Sequence, residues 1–153
     1  MRKEFRVLGI VLKKKKLKDR DFQVILFTKK RGKLVLLAKG AQKITSRRLP
    51  HLDTGNLIKA RVIEKQDFLY LSETLLISGF SSIKENLKKT VNFFLVLKII
   101  EKISPEKQKD EELFQFLLKT IKKIDEGSFE KDVFIENLVK LVGLGKDELL
   151  QMF

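Results

Sequence analysis

Lysine and arginine are the side chains of this 153-residue sequence whose spacing points most clearly to chemistry. They form three dense groups within the first third of the chain. The groups are Lys13, Lys14, Lys15, Lys16, Lys18 and Arg20; Lys29, Lys30, Arg31 and Lys33; and Lys39, Lys43, Arg47 and Arg48. Ammonium and guanidinium groups donate strong hydrogen bonds to phosphate oxygens and neutralise their charge. The spacing therefore predicts a surface that binds a polyanion.

The distribution of charge supports this prediction. Residues 1–80 contain 20 Lys and Arg against 7 Asp and Glu, whereas residues 81–153 contain 13 of each. Lysine enrichment for solubility or thermal adaptation would be spread along the chain. The excess of +13 lies entirely in the first half, which favours phosphate binding by that half.

Residues that perform catalysis or bind metals are sparse. His51 is the only histidine and there is no cysteine, so a Ser-His or Cys-His pair has at most one candidate base. No Walker-type loop or dinucleotide-binding fingerprint is present. The sequence predicts a non-enzymatic protein with no cofactor and no metal.

Segments that target or anchor a protein are also not apparent. The first residues are charged rather than signal-like, and the most apolar stretch, residues 91–100, is too short to cross a bilayer. We therefore expect a cytoplasmic protein, and phosphate binding by the basic half would make it nucleoid-associated.

The elements that would carry the basic groups are read as five strands. The apolar runs 5–12, 22–28 and 33–38, the alternating run 55–63 and the run 68–77 have strand character. Lys29 to Gly32 predicts a hairpin turn, and residues 40–50 predict a loop. All three basic groups then fall in turns or at strand ends. Five short strands of this spacing predict an OB-fold barrel over residues 1–80.

The second half, residues 81–153, has helical periodicity, so the predicted class is α+β with an all-helical C-terminal domain. Ser82 and Glu85 have the spacing of a capping box ahead of a helix that runs to about Ile103. Ser104-Pro105 predicts the start of a second helix, and Gly127 predicts its end. This helix carries Lys119, Lys122 and Lys123. We expect these lysines to lie on a face exposed to solvent rather than on one that binds an acidic peptide.

Aromatic rings that stack on bases are a weaker signal. Phe27 lies inside an apolar run and is expected in the core. Phe22, beside charged residues, and Tyr70 are the rings expected to be exposed. Phosphate contacts are therefore predicted to dominate, with little sequence preference.

Residues 7–52 carry a more specific pattern, which resembles the N-terminal domain of the RecO family of bacterial recombination mediators. The resemblance rests on Gly9 to Lys13, Asp21, Leu26-Phe27-Thr28, Gly32-Lys33, Ala38-Lys39-Gly40-Ala41 and Ser46-Arg47. Residues 134–145, ending in Leu-Val-Gly-Leu-Gly, resemble the segment before the zinc region of many members.

The resemblance implies an OB-fold domain followed by helices. It also implies binding of single- and double-stranded DNA, strand annealing, and help in loading RecA together with RecR and single-stranded DNA-binding protein. In the family, the acidic, Phe-ended tail of the single-stranded DNA-binding protein docks on the helical domain. Ending at Phe153 without cysteine, the chain is expected to be a short form lacking the zinc region, either a minimal form or a chain missing its last part.

Two other functions stay open from the residues alone. An RNA- or ribosome-associated OB protein would share the basic half. A protein-interaction adaptor would carry its charge incidentally. Oligomeric state, strand preference and the binding face of the barrel are not determined by the sequence.

Overall fold

The computed structural model describes residues 3–41 and 49–152. Five strands come first: β1 Lys3–Lys16, β2 Phe22–Thr28, β3 Gly32–Ala38, β4 Leu57–Lys65 and β5 Phe68–Ser78. Short 3₁₀ turns cover Lys18–Arg20 and Leu49–Leu52. Five helices follow: α1 Ser81–Lys84, α2 Leu87–Ile103, α3 Glu111–Glu126, α4 Lys131–Val142 and α5 Lys146–Leu150. Within the described residues, no helix is both long and apolar enough to cross a membrane.

The strands close into a barrel in the order β1-β2-β3-β5-β4. All neighbouring pairs are antiparallel except β3 and β5, which run parallel at Leu37 and Tyr70. This order confirms the predicted OB-fold and the α+β class. The interior is filled by inward-facing apolar side chains that alternate with outward ones, among them Val24, Leu36 and Val62.

The first strand is longer than the sequence predicts. Lys13, Lys14, Lys15 and Lys16 were expected in a turn, but they lie in β1 and pair with residues Ile25 back to Phe22 of β2. A run of four lysines lacks the apolar alternation by which a strand is recognised in a sequence. Its strand conformation comes instead from pairing with the apolar strand β2.

The helices pack against the outside of the barrel. Ile10, Leu12 and Phe27 belong to the same apolar cluster as the inner faces of α2 and α3, and the Phe27 and Phe114 rings lie 5.9 Å apart. Although β5 ends at Ser78 and α1 begins at Ser81, the core is continuous across that boundary. The division into two domains at residue 80 stays a prediction.

Two predicted helix starts are wrong. Ser82 lies inside α1 and its hydroxyl donates to Asp125 Oδ1 at 2.6 Å, while Asn86 caps α2 by accepting from Lys89 N. Ser104 ends α2 instead of starting α3, which begins after the N-cap Asp110. The predicted end of α3 at Gly127 is confirmed.

The segment between α2 and α3 is tied to the barrel. Glu106 forms a β-bridge with Lys33, and Lys107 N donates to Lys33 O at 2.9 Å. These contacts with Lys33 hold the chain beside β3 and agree with the late start of α3 at Glu111.

Candidate nucleic-acid interface

One end of the barrel gathers the first basic group and the start of the third. The register places Lys16 beside Phe22 and Phe22 beside Ala38, so the end of β1, the start of β2 and the end of β3 meet there. Six exposed cations at this end or leading to it are called the turn-end surface: Lys13, Lys15, Lys16, Lys18, Arg20 and Lys39. Lys13, which pairs with Ile25 midway along β2, lies farther from the turn than Lys15 and Lys16. Arg20 and its neighbour Asp19 both adopt positive φ in the tight turn between β1 and β2.

Lys14 differs from its three lysine neighbours in β1. Its ammonium is 3.2 Å from Asp53 Oδ1 and 5.0 Å from the centre of the Phe22 ring, and its side chain is only 23% exposed. Much of its charge is therefore satisfied within the protein. Its ammonium is less available to a ligand than those of the exposed Lys15 and Lys16.

A buried amide fixes the described part of the connection between β3 and β4. Asn56 Nδ2 donates to the carbonyls of Pro50 and His51 at 3.3 and 3.1 Å, and its Oδ1 accepts from Lys84 Nζ at 2.5 Å. Burial lowers the pKa of Lys84, with nearby Asp53 opposing and Lys14 reinforcing the shift. The amide holds the base of this loop beside β1.

The rest of the third basic group belongs to the same connection in the sequence. Lys43, Arg47 and Arg48 lie outside the described residues. Their predicted role in phosphate binding stays a prediction.

The second basic group lies at the opposite end of the barrel. Gly9 pairs with Thr28, and Thr28 pairs with Gly32, at the far end of β2 from Phe22. Six residues along a strand span about 20 Å at ~3.4 Å per residue. The structure thus separates the hairpin tip from the turn-end surface, so the second basic group lies apart from the described cations of the first and third groups.

At the hairpin tip, cations from three parts of the chain line a cleft of about 490 Å³. This cleft is called the hairpin cleft, and its basic lining residues are Arg6, Lys29, Lys30, Arg31 and Lys109. A smaller depression of about 300 Å³ adjoins it, sharing Lys30, Arg31 and Lys109 and adding Phe5, Glu64 and Lys107. The Arg31 guanidinium lies 3.8 Å from the centre of the Phe5 ring. Such stacking fixes the guanidinium plane and leaves its N–H edge available.

Lys33 has a structural role that the sequence did not indicate. Its ammonium donates to the carbonyl oxygen of Glu101, in the last turn of α2, at 2.8 Å. Cations near a helix C-terminus satisfy carbonyls that lack intrahelical partners. Lys33 therefore joins the barrel to α2, and its ammonium is less available to a phosphate than that of Lys30.

The two aromatic candidates have different positions. Phe22 is 2% exposed and belongs to the barrel interior, so its prediction as an exposed stacking ring is wrong. Its charged neighbours in sequence lie in the turn before β2, whereas its own side chain points inward. Tyr70 is half-buried, and Lys39 Nζ lies 5.3 Å from the centre of its ring.

The helical part contains a separate groove between α3 and α4, of about 510 Å³. Lys119, Lys123 and Lys140 lie along it, with Phe116 and Leu141 as its apolar lining. Lys122, by contrast, is 76% exposed and lies 4.0 Å from Glu126, one turn further along α3. The groove combines basic and apolar side chains.

Three basic residues at the hairpin end were missed by sequence reasoning: Arg6, Lys107 and Lys109. Arg6 lies inside a predicted strand. The alternation of side chains between the two faces of a strand is the one sequence signal that Arg6 faces outward. Lys107 and Lys109 belong to the electrically neutral half, and contacts of Glu106, Lys107 and Gln108 with β3 bring them to the hairpin. No local pattern reports such long-range proximity.

Comparison with known proteins agrees with this architecture. Residues 1–80 match the family model described as recombination protein O N terminal. The chain is 33% identical over 137 residues to the DNA repair protein RecO of Thermoanaerobacter, covering 89% of this chain and 55% of that protein. It is 30% identical over 138 residues to the DNA repair protein RecO of Bacillus subtilis, covering 90% and 53%. The chain thus spans about half the length of these curated relatives, and the matched region begins with the barrel. By this match, the chain belongs to the RecO family.

Proposed function

We propose that this chain is a non-enzymatic DNA-binding protein that anneals complementary strands and assists RecA loading in recombinational repair. The observation that carries the proposal is the set of exposed cations around the turn end of an OB barrel. Lys13, Lys15, Lys16, Lys18 and Arg20 form no ion pair with a carboxylate in the described part of the chain. OB-folds commonly bind nucleic acids through their strands and adjoining loops.

Annealing follows physically from such a surface. Two DNA strands repel each other through their phosphates, and cations that neutralise the phosphates lower that repulsion and release condensed counterions. Phosphate contacts carry no direct sequence information, so the protein would pair any two complementary strands. The relatives' description as DNA repair proteins supports this use of the surface.

The partners proposed with this function are RecR and single-stranded DNA-binding protein. The groove between α3 and α4 supports the second, because Lys119, Lys123 and Lys140 would attract an acidic peptide while Phe116 and Leu141 would contact an apolar end. Since the chain covers about half of its relatives, contacts made by their other halves do not enter the proposal.

Annealing of complementary oligonucleotides tests the function directly. The chain should accelerate pairing, including pairing of strands coated with single-stranded DNA-binding protein. Lys15→Glu/Lys16→Glu should slow it, because the substitutions reverse two charges that have no structural partner in the described chain. The matched control, Lys88→Glu/Lys146→Glu, makes the same charge change at exposed lysines outside the turn-end surface.

Equal annealing by the two double variants would contradict a role for the turn-end surface. Failure of the unsubstituted chain to bind DNA would contradict the proposed function itself.

RNA binding is the second candidate function, and the same OB barrel and cations favour it. Competition between single-stranded DNA and RNA of one sequence separates the two, because only RNA offers 2′-hydroxyl contacts. Equal or weaker competition by RNA is expected. Strong preference for RNA would replace the DNA proposal.

A further inference from the structure

The hairpin cleft is built by both halves of the chain. Arg6 comes from β1, Lys29, Lys30 and Arg31 from the turn between β2 and β3, and Lys109 from the segment between α2 and α3. Lys107, on the same segment, lines the adjoining depression. Six cations therefore surround one concave region, and two of them belong to the half of the sequence that has no net charge.

The segment that brings Lys107 and Lys109 is held firmly against the barrel. Lys107 N donates to Lys33 O, and Lys33 Nζ donates to Glu101 O, so that β3 is bonded to the segment and to the end of α2. Gly32 approaches Gln108 so closely that a Cβ atom on Gly32 would lie 2.1 Å from the Gln108 carbonyl oxygen. These contacts fix the backbone that carries Lys107 and Lys109 before any ligand arrives, which reduces the cost of ordering the segment on binding.

Within the residues that the structure describes, no carboxylate pairs with the cations of this cleft. In the described part of the chain, none of the six cations forms an ion pair, and Glu64 is the one acidic residue that lines the two depressions. Arg61 on the neighbouring strand shows the contrast, since it bonds to both Glu4 and Glu73. Crowded like charges disfavour folding unless an anion neutralises them.

We infer that the hairpin cleft is a second binding site for a DNA phosphate backbone, separate from the turn-end surface and completed by Lys107 and Lys109 of the helical half. The inference rests on the proposed function and deepens it. Arg31, fixed against Phe5, supplies a planar fork of N–H donors that matches a phosphate, and the lysines supply point charges around it.

The separation of the two sites gives them a joint role. Because β2 places the sites about 20 Å apart, one short strand occupies only one of them, and two strands can bind to one molecule at the same time. Each strand would then be neutralised on its own surface before pairing. Annealing would require both sites, whereas binding of a single strand would require only one.

The test uses a thymidine trinucleotide, whose two phosphates are joined through a single sugar and therefore cannot reach across the ~20 Å between the two sites. Amide chemical shifts are followed by NMR during titration of the unsubstituted chain and of Lys107→Glu/Lys109→Glu. Both lysines are exposed, so the variant should keep its fold, which the spectrum itself reports. Annealing of longer complementary strands is measured on the same samples, with Lys88→Glu/Lys146→Glu as the charge-matched control.

In the unsubstituted chain and the control, shifts are expected at both ends: around Lys15 and Lys16, and around Gly32 and Lys109. The cleft variant should lose the shifts at the hairpin, keep those at the turn end, and lose annealing while still binding one strand. The inference is overturned if the unsubstituted chain shifts only at the turn end, or if the variant anneals as fast as the control. Absence of any shift at either end would instead contradict the proposed function.

Discussion

Replacing Gly32 with alanine should destabilise the protein far more than a surface glycine normally would. Gly32 has a φ of +69°, and an added Cβ would lie 2.1 Å from the carbonyl oxygen and 2.5 Å from the carbonyl carbon of Gln108. Holding an L-residue in the left-handed region costs roughly 1–2 kcal/mol. Displacing the Gln108 backbone adds an overpacking cost of about 1–3 kcal/mol. The free energy of unfolding should therefore fall by about 2–5 kcal/mol.

Gly127→Ala provides a matched control for the backbone term. Gly127 has a φ of +79°, but no heavy atom lies within 4 Å of a Cβ placed there. Both substitutions reduce the entropy of the unfolded chain to the same extent, so that contribution cancels in the comparison. The control should lose only the conformational cost of about 1–2 kcal/mol.

Urea denaturation of the two variants, followed by circular dichroism, measures the difference. A further loss of about 1–3 kcal/mol for Gly32→Ala would reflect the close approach of the segment to β3. Equal destabilisation of the two variants would refute the packing of residues 105–110 against the hairpin, and with it the contribution of Lys107 and Lys109 to the cleft.

Three further predictions follow from individual side chains. Lys33→Met should lower the free energy of unfolding by about 1.5–3 kcal/mol, because it removes a charged hydrogen bond to α2. It should also weaken DNA binding less than Lys30→Met does. The reverse order of affinities would contradict the structural role of Lys33. Burial lowers the pKa of Lys84 below its ordinary 10.5, so the unfolded chain holds its proton more strongly. The free energy of unfolding should therefore rise as pH increases through the folded pKa of Lys84 towards 10.5. Unfolding measured at a series of pH values should show this rise in the unsubstituted chain and not in Lys84→Met. The same pH profile for both proteins would contradict the lowered pKa of Lys84. Tyr70→Leu should cost roughly 1–3 kcal/mol of single-strand binding free energy if a base stacks on the ring, as measured by fluorescence anisotropy; unchanged affinity would exclude stacking there.

The barrel could be predicted because its strands carry local signals. Residues 22–38 contain two apolar runs around a glycine-containing basic turn, and that hairpin has the predicted bounds to within one residue. The lysine run at the end of β1 was not predicted as strand, because its extended conformation depends on pairing with β2 rather than on its own composition.

The helix starts illustrate a different failure. Ser82 has the spacing of a capping residue, yet its hydroxyl donates to Asp125 on α3, which is distant in sequence. Ser104-Pro105 has the sequence of a helix start, yet the following residues pair with β3. In both places a tertiary contact outweighs a local preference, and a single sequence does not reveal such contacts.

The candidate interface was predicted in composition but not in arrangement. The sequence lists the basic side chains, but whether they converge depends on strand register, which separates the hairpin tip from the turn end and places the first lysine run in β1. The burial of Phe22 likewise depends on which face of β2 points inward. The contribution of Lys107 and Lys109 depends on packing between the two halves.

The central claim is that this chain binds nucleic acid through phosphates, and the salt dependence of single-strand binding tests it most directly. With about five phosphates contacted, affinity should fall roughly 100-fold over a fourfold rise in salt concentration, at a slope of ~0.7 per phosphate. Two unrelated sequences of equal length should give the same slope and nearly the same affinity. Binding that does not change with salt, or that strongly favours one sequence, would contradict the account.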